Sequence, residues 1–522
     1  MPFSRAPQAP LLVLLTAPLL WIGGCRAAEP PALQWPVPAP PRVEAADPVL
    51  WVALAARLGS QPGRAPLPLR SGKGALTLRD AGGRQWRSSQ LTVHWLERPL
   101  DPPLELRRLV AGPFASFESA QRVAQRWQAH KVATTVARPG DWEVWARADA
   151  PVPAGLTVKP VSLRYRSGLQ PALQGPGGTL QALQGPVSIE APGGLLWQGA
   201  RYAGPFRLQA DAYGTWSLVE QVPLERYLEG VVPHEIGAAA PPSALAAQAV
   251  LARTWALRNQ HRYSADGYHL CASTQCQVYS DPRHAGPAVR QAITRTRHQV
   301  LSWQGEPIHA VYHASNGGLA AGLEEGWSAD PLPYLKPRFD GPWDGLQQGR
   351  QAPDPLPLGR LASLLARRDA ATFYGADHPL FRWSRLLNGA QIAAALQARG
   401  MPVGEVRRLQ VLERGASGRV VALAIEGTAG RTVLRLDAIR RTLPTLPSTL
   451  FELSPQGPGL WRALGGGFGH GAGLSQAGAI DLGRRGWSLA QILERYYPGT
   501  QLQTLQQLKA WGPVGSGLAS SP

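Results

Sequence analysis

A chain of 522 residues has room for roughly three domains of ordinary size, and its 44% hydrophobic content excludes wholesale disorder. Three cysteines exclude a disulfide-dense scaffold. The formal charge of +18 is carried by arginine, with only five lysines, and the basic residues are scattered. The absence of a lysine- or arginine-rich run argues against a nucleic-acid tail and leaves acidic polysaccharide and anionic lipid as partner classes.

At the N-terminus Arg5 precedes an apolar run over 11–22, followed by Gly23-Gly24-Cys25. That run has the length of a signal-peptide core and is too short for a comfortable membrane span. Residues 1–28 are therefore expected to be a signal peptide. Two endings stay open: cleavage after Ala28, or a lipobox-like Ile22-Gly23-Gly24-Cys25 that makes Cys25 a lipid anchor. Either one exports the chain to the periplasm or cell envelope, as a soluble protein or an anchored lipoprotein. There a basic protein meets cell wall before nucleic acid. Residues 29–48 are rich in Pro and Ala and read as an extended linker.

Strand-like alternation follows at 76–78 and 88–96, around a Gly82-Gly83 turn. Residues 49–150 are expected to form an N-terminal module. Within it, 107–114 reads as a strand, and Ser116 can cap a helix whose Ala120, Val123, Ala124 and Trp127 recur at helical spacing. Strands are expected again at 132–136 and 142–145. This β-α-β-β order over 107–147 resembles half of a SPOR domain, a family that binds glycan strands stripped of stem peptides. Strands are also predicted at 180–219, 406–412 and 420–425, a loop at 346–360, and a flexible tail at 512–522.

The most informative stretch is PLERYLEGVVPHEI over 223–236. A helical turn is expected to end at Gly230. Glu235 then stands among Val231, Val232, Ile236 and the alanines 238–240. A carboxyl group in apolar surroundings prefers its protonated form, which is what a general acid needs. Ser243 is expected to cap a long amphipathic helix, SALAAQAVLARTWALRNQHR. Further on come Cys271-Ala272-Ser273-Thr274-Gln275-Cys276-Gln277-Val278-Tyr279, then YHASNGG at 312–318 and GFGHGAGLSQAGA at 467–479. His470, Ser475, Gln476, His313 and Ser315 are polar groups suited to sugar hydroxyls and acetamido groups. The surrounding glycines would let backbone approach a bulky ligand. The C-x4-C pair supports one half of a zinc site, a disulfide, or two free buried cysteines.

These motifs, in this order, resemble the SpoIID/LytB family (stage II sporulation protein D and its amidase-enhancer relatives), over a domain expected at 180–500. The resemblance implies an α+β fold: a mixed sheet-and-helix catalytic domain, with small N-terminal α+β or β modules. It implies a peptidoglycan lytic transglycosylase acting on peptide-free glycan strands, with Glu235 as the acid. One acid suffices, because the muramic 6-hydroxyl closes a 1,6-anhydro ring on its own anomeric carbon. The alternative is a non-catalytic glycan-binding activator of an N-acetylmuramoyl-L-alanine amidase. That alternative draws on Ala246, which stands where the family has a lysine, and on arginines that would complement muramic lactyl carboxylates. The resemblance also implies a structural zinc at Cys271 and Cys276, with His269 as third ligand. No HExxH helix for a catalytic zinc is present.

Overall fold

The computed structural model describes residues 32–60, 64–175, 178–342 and 361–508. The expected signal peptide with Cys25, the loop 346–360 and the tail 512–522 lie outside these residues. The described part is α+β, and none of its helices is long and apolar enough to cross a membrane.

One sheet orders Leu270–Cys271, Val49–Leu58, Trp216–Pro223, Phe206–Ala210, Val187–Glu190, Leu76–Arg79 and Gln85–Ser88. Val49–Leu58 runs antiparallel to Trp216–Pro223, with Val49 opposite Pro223 and Ala53 opposite Val219. Its other edge takes Leu270–Cys271 in parallel. The spine of the second large sheet is Gln90–Phe114, paired with Lys159–Gln174. That pairing shifts register between Pro99 and Leu104, where Pro102 and Pro103 have no N–H to donate.

These pairings correct two expectations. Residues 49–150 are not a separate module, because their strands are built into sheets completed by residues beyond 159. One hydrophobic core accordingly runs from Val43 to Leu508. The linker expected at 29–48 is, over its described residues, laid against the body. Trp35 N–H donates to the Ala212 carbonyl at 3.1 Å, and Val43 is buried. Burial of Val43 and partial burial of Trp35 favour docking over a solvated polyproline strand. The β-α-β-β order at 107–147 is present. Helix α1 (Phe117–Ala129) is capped by Ser116 Oγ, which accepts the Ser119 N–H at 3.2 Å. Phe117, Ala120, Ala124 and Trp127 form its buried face.

Helices α2 (Leu224–Val232) and α3 (Pro242–Arg258) make the centre. The α3 helix is buried nearly all round rather than amphipathic, which marks a core helix. Its start is set by Pro241 and Pro242, whose fixed φ suits a first turn; Ser243 makes no cap bond. Arg253 of α3, fully buried, grips Glu225 of α2 with Nη2–Oε2 at 2.6 Å and Nε–Oε1 at 2.9 Å. Further helices are α4 (Pro287–Arg295), α5 (Leu361–Ala366), α6 (Gly389–Gln397), α7 (Asp437–Thr442), α8 (Gln476–Arg484) and α9 (Leu489–Tyr496). A second core gathers α6, α7 and the strands between Arg382 and Gly466. The strands expected at 406–412 and 420–425 are there, as Val406–Arg414 and Val420–Gly427. The turn between them docks on the main body through Arg419, which donates to the carbonyls of Leu319 (2.7 Å) and Asn316 (2.9 Å).

Gly230 does not end α2. The helix continues to Val232 and passes into a π-helical turn, Pro233–Gly237. Glycine is required there because a Cβ would press on the Tyr279 ring and come within 2.7 Å of the Ser280 carbonyl. Gly230→Ala is expected to lower stability by about 1–3 kcal/mol through overpacking, read by denaturant unfolding. Gly140→Ala, where a Cβ meets nothing within 4 Å, is the control and should change stability by less than about 0.5 kcal/mol.

Candidate functional site

The π-helical turn carries Glu235 to the wall of a cleft. Its Oε1 accepts the Val278 N–H at 2.8 Å, and the Gln476 amide bonds the same carboxyl. Both bonds favour the carboxylate. Burial opposes them and prevails, so the carboxyl is pushed above its ordinary 4.5. Val278 is held from both sides. Buried Gln277 accepts from Tyr227 OH at 3.0 Å and donates to the Ala252 carbonyl at 3.1 Å, while Tyr279 OH donates to Glu220 Oε2 at 2.8 Å. The donor to Glu235 is thus fixed by α2, α3 and the first sheet together.

The cleft has a volume of about 480 Å³. Glu235, Trp255, Arg262, Tyr312, Trp327 and His470 line it, with Ser116, Phe117 and Glu118 from the start of α1 and Asp437, Arg440 and Arg441 from α7. Burial, together with the charge of Glu118, raises Asp437 to about 6 against a hydrogen bond from Ser116. A larger concavity, about 870 Å³, lies between α1 and residues 33–39. It is lined by neutral side chains and His261, with no carboxyl or thiol, so volume alone does not mark the chemistry.

The other expected ligand-binding residues sit differently. His470 lines the cleft, but both ring nitrogens are engaged: Nε2 lies 2.9 Å from the Tyr312 carbonyl, and Nδ1 accepts the Ala472 N–H at 3.2 Å. Burial lowers its pKa to about 3, so it stays neutral. It shapes the wall, with its ring 4.6 Å from that of Trp327. Ser475 is the N-cap of α8, accepting the Gly478 N–H at 3.2 Å. Gln476 turns toward Glu235 and Gln248 rather than outward. His313 and Ser315 are buried behind the wall, His313 Nδ1 on the Ala472 carbonyl at 3.1 Å and Ser315 paired through its backbone with Phe468. The C-terminal glycines let backbone approach protein rather than ligand. A Cβ on Gly467 (φ +82°) would lie 2.6 Å from the Ser315 carbonyl, and one on Gly469 (φ +116°) would lie 2.6 Å from His313 Cβ.

Cys271 and Cys276 are free thiols in mutual contact, and Cys276 Sγ accepts the Cys271 N–H at 3.0 Å. His269 is not their partner. Its Nδ1 accepts the Trp51 N–H and its Nε2 meets the Pro41 carbonyl, each at 2.8 Å. Among the described residues no group of three or more His, Cys, Asp or Glu could hold a metal. Two sulfurs without a third ligand do not fit the expected structural zinc. The spacing of the cysteines could not reveal that His269 is engaged by two backbone segments more than two hundred residues away in sequence.

Sequence reasoning missed Asp437, Arg440 and Trp327 altogether, since no motif surrounds them. Gln277, Val278 and Tyr279 stood inside a recognised motif, but their role as a clamp needed the fold.

The chain is similar to known proteins over the elements that carry this cleft. A family described as "Stage II sporulation protein" matches residues 212–303, which carry α2, Glu235, α3 and the cysteine segment. A domain of unknown function matches 321–473, which carries α7. Stage II sporulation protein D of Bacillus subtilis (strain 168) is 27% identical over 299 residues, covering 54% of this chain and 75% of that protein. The protein of the same name from Bacillus amyloliquefaciens is 28% identical over 306 residues, with the same coverage. The amidase enhancer of B. subtilis is 27% identical over 297 residues, covering 53% of this chain and 40% of its own length. The chain thus carries a segment, 212–303, that matches the stage II sporulation protein family, and over about half its length it is similar to stage II sporulation protein D and to an amidase enhancer.

Proposed function

We propose that the protein is a cell-envelope lytic transglycosylase that cleaves peptide-free glycan strands of peptidoglycan, with Glu235 as its acid. The likeness to these relatives supports the coarser, cell-wall-related role. The observation that carries the finer reading is Glu235: a carboxyl on a cleft wall, aimed by the Val278 N–H and biased by burial toward its protonated form.

In this reading Glu235 gives its proton to the glycosidic oxygen, and the bond from that oxygen to the muramic anomeric carbon breaks. The 6-hydroxyl oxygen of the same sugar bonds to that carbon, and the hydroxyl proton returns to the Glu235 carboxylate. No water enters, so the paired carboxylates of a glycosidase are not required. Trp255, Tyr312 and Trp327 supply apolar and aromatic faces for the sugar rings.

The amidase-enhancer reading is favoured by one observation. Ala246, on the first turns of α3, is partly buried against the core, so no cationic side chain stands at that position.

The test is mass spectrometry of peptide-free glycan incubated with the purified protein. The native protein should produce 1,6-anhydro-muramic ends, and Glu235→Gln should reduce their rate by at least about 100-fold, the usual share of a general acid. The same assay across pH checks the sign of the shift. The acid form is lost as pH rises, so the rate should fall on the alkaline side with an inflection above 4.5. No new ends from either protein, with glycan bound by both, would overturn the enzyme and leave an amidase-activating binder.

A further inference from the structure

Helix α7 belongs to the segment that matches a domain of unknown function, yet it lines the same cleft as Glu235. The cations that line this cleft differ in their pairing. Arg262 is bridged to Glu118, and Arg441 to Asp141. Arg440 has no hydrogen bond or ion pair among the described residues, and its Nε is buried without a partner. Burial depresses its pKa and no nearby carboxylate offsets this. Its charge acts on another cation, Arg419, and on the histidines His470 and His313. A guanidinium does not discharge itself at neutral pH, so a desolvated one is costly until an anion meets it.

One turn earlier on the same helix stands a complementary defect. Asp437 bonds Ser116, but its Oδ2 is buried without a partner. Arg440 and Asp437 do not pair with each other among the described residues. Arg440 therefore lines the cleft as a guanidinium that no protein group meets, whereas the unpaired Asp437 Oδ2 is itself closed off from the cleft. A ligand that satisfies Arg440 carries a carboxylate.

Resting on the function proposed above, we infer that α7 is the reader of the muramic sugar. Arg440 takes the lactyl carboxylate. Stem peptides convert that carboxylate to a neutral, bulky amide. Arg440 therefore selects strands from which the peptides have been removed, and the segment of unassigned function sets substrate choice while Glu235 does the chemistry.

The test measures binding of fluorescently end-labelled glycan by anisotropy, in the full chain carrying Glu235→Gln so that strands stay whole. Two probes are compared: peptide-free strands, and the same strands with lactyl carboxyls converted to methylamides. The parent should bind the carboxylate strands at least about tenfold more tightly, as expected for a charge-assisted forked contact. Adding Arg440→Gln should equalise the two probes at the weaker affinity, and Arg440→Lys should restore part of the preference. Because Arg440 holds no other side chain in place, its loss leaves no buried partner unpaired, and thermal melting checks that the fold is kept. In the cleaving protein Arg440→Gln should raise KM and leave kcat nearly unchanged. If Arg440→Gln keeps the preference for carboxylate strands, this inference is overturned while the proposed function stands. If the parent binds neither probe, both fall together.

Discussion

The hydrogen bond from the Val278 N–H to Glu235 is the contact on which the rest of the site depends. A carboxyl on a π-helical turn has several rotamers available, and only a fixed donor selects the one that faces the cleft. That donor is backbone, so its position is set by the packing of the whole segment. Gln277 ties it to α2 and α3, and Tyr279 ties it to the first sheet. The close approach of α2 at Gly230 lets Tyr279 and Ser280 lie there at all. Burial raises the carboxyl and the hydrogen bonds lower it. The net sign is the one an acid requires.

The cleft is assembled from distant parts of the chain. Alpha-helix 1 contributes Phe117 and Glu118, the turn after α2 contributes Glu235, and α7 contributes Asp437 and Arg440. None of these carries the site alone. Buried Arg419 and the Glu325–Ser417 contacts anchor the second core against the first, so α7 is presented on a fixed mount. The arginine-rich composition finds a local expression here: most lining cations are held by acids of the protein, and one is left for a ligand.

Much of this was legible in the sequence because its signals are local. The apolar residues around Glu235 pointed to a raised pKa. Ser116 and Ser475 sit at helix starts as their residue type suggests, and the β-α-β-β order at 107–147 followed from alternation and helical spacing. What escaped was non-local. Val49–Leu58 pairs with a strand more than a hundred and fifty residues away, which dissolves the expected boundary near 150. Gly230 looked like a helix end, although its reason is the Tyr279 ring. His269 looked like a zinc ligand until its nitrogens met Trp51 and Pro41. His470 and Ser475 were read as ligand-binding groups from a motif whose polar atoms serve the fold. Asp437 and Arg440 have no motif, and their roles arise only from where the second core docks.

The central claim is that Glu235 is held as an acid, and the most direct measurement is its own titration. Infrared difference spectra between the native protein and Glu235→Gln, recorded across pH, isolate its carboxyl stretch. A protonated-carboxyl band that persists above pH 4.5 and disappears at a higher pH is the predicted result. A carboxylate band already dominant at or below that value would contradict the account.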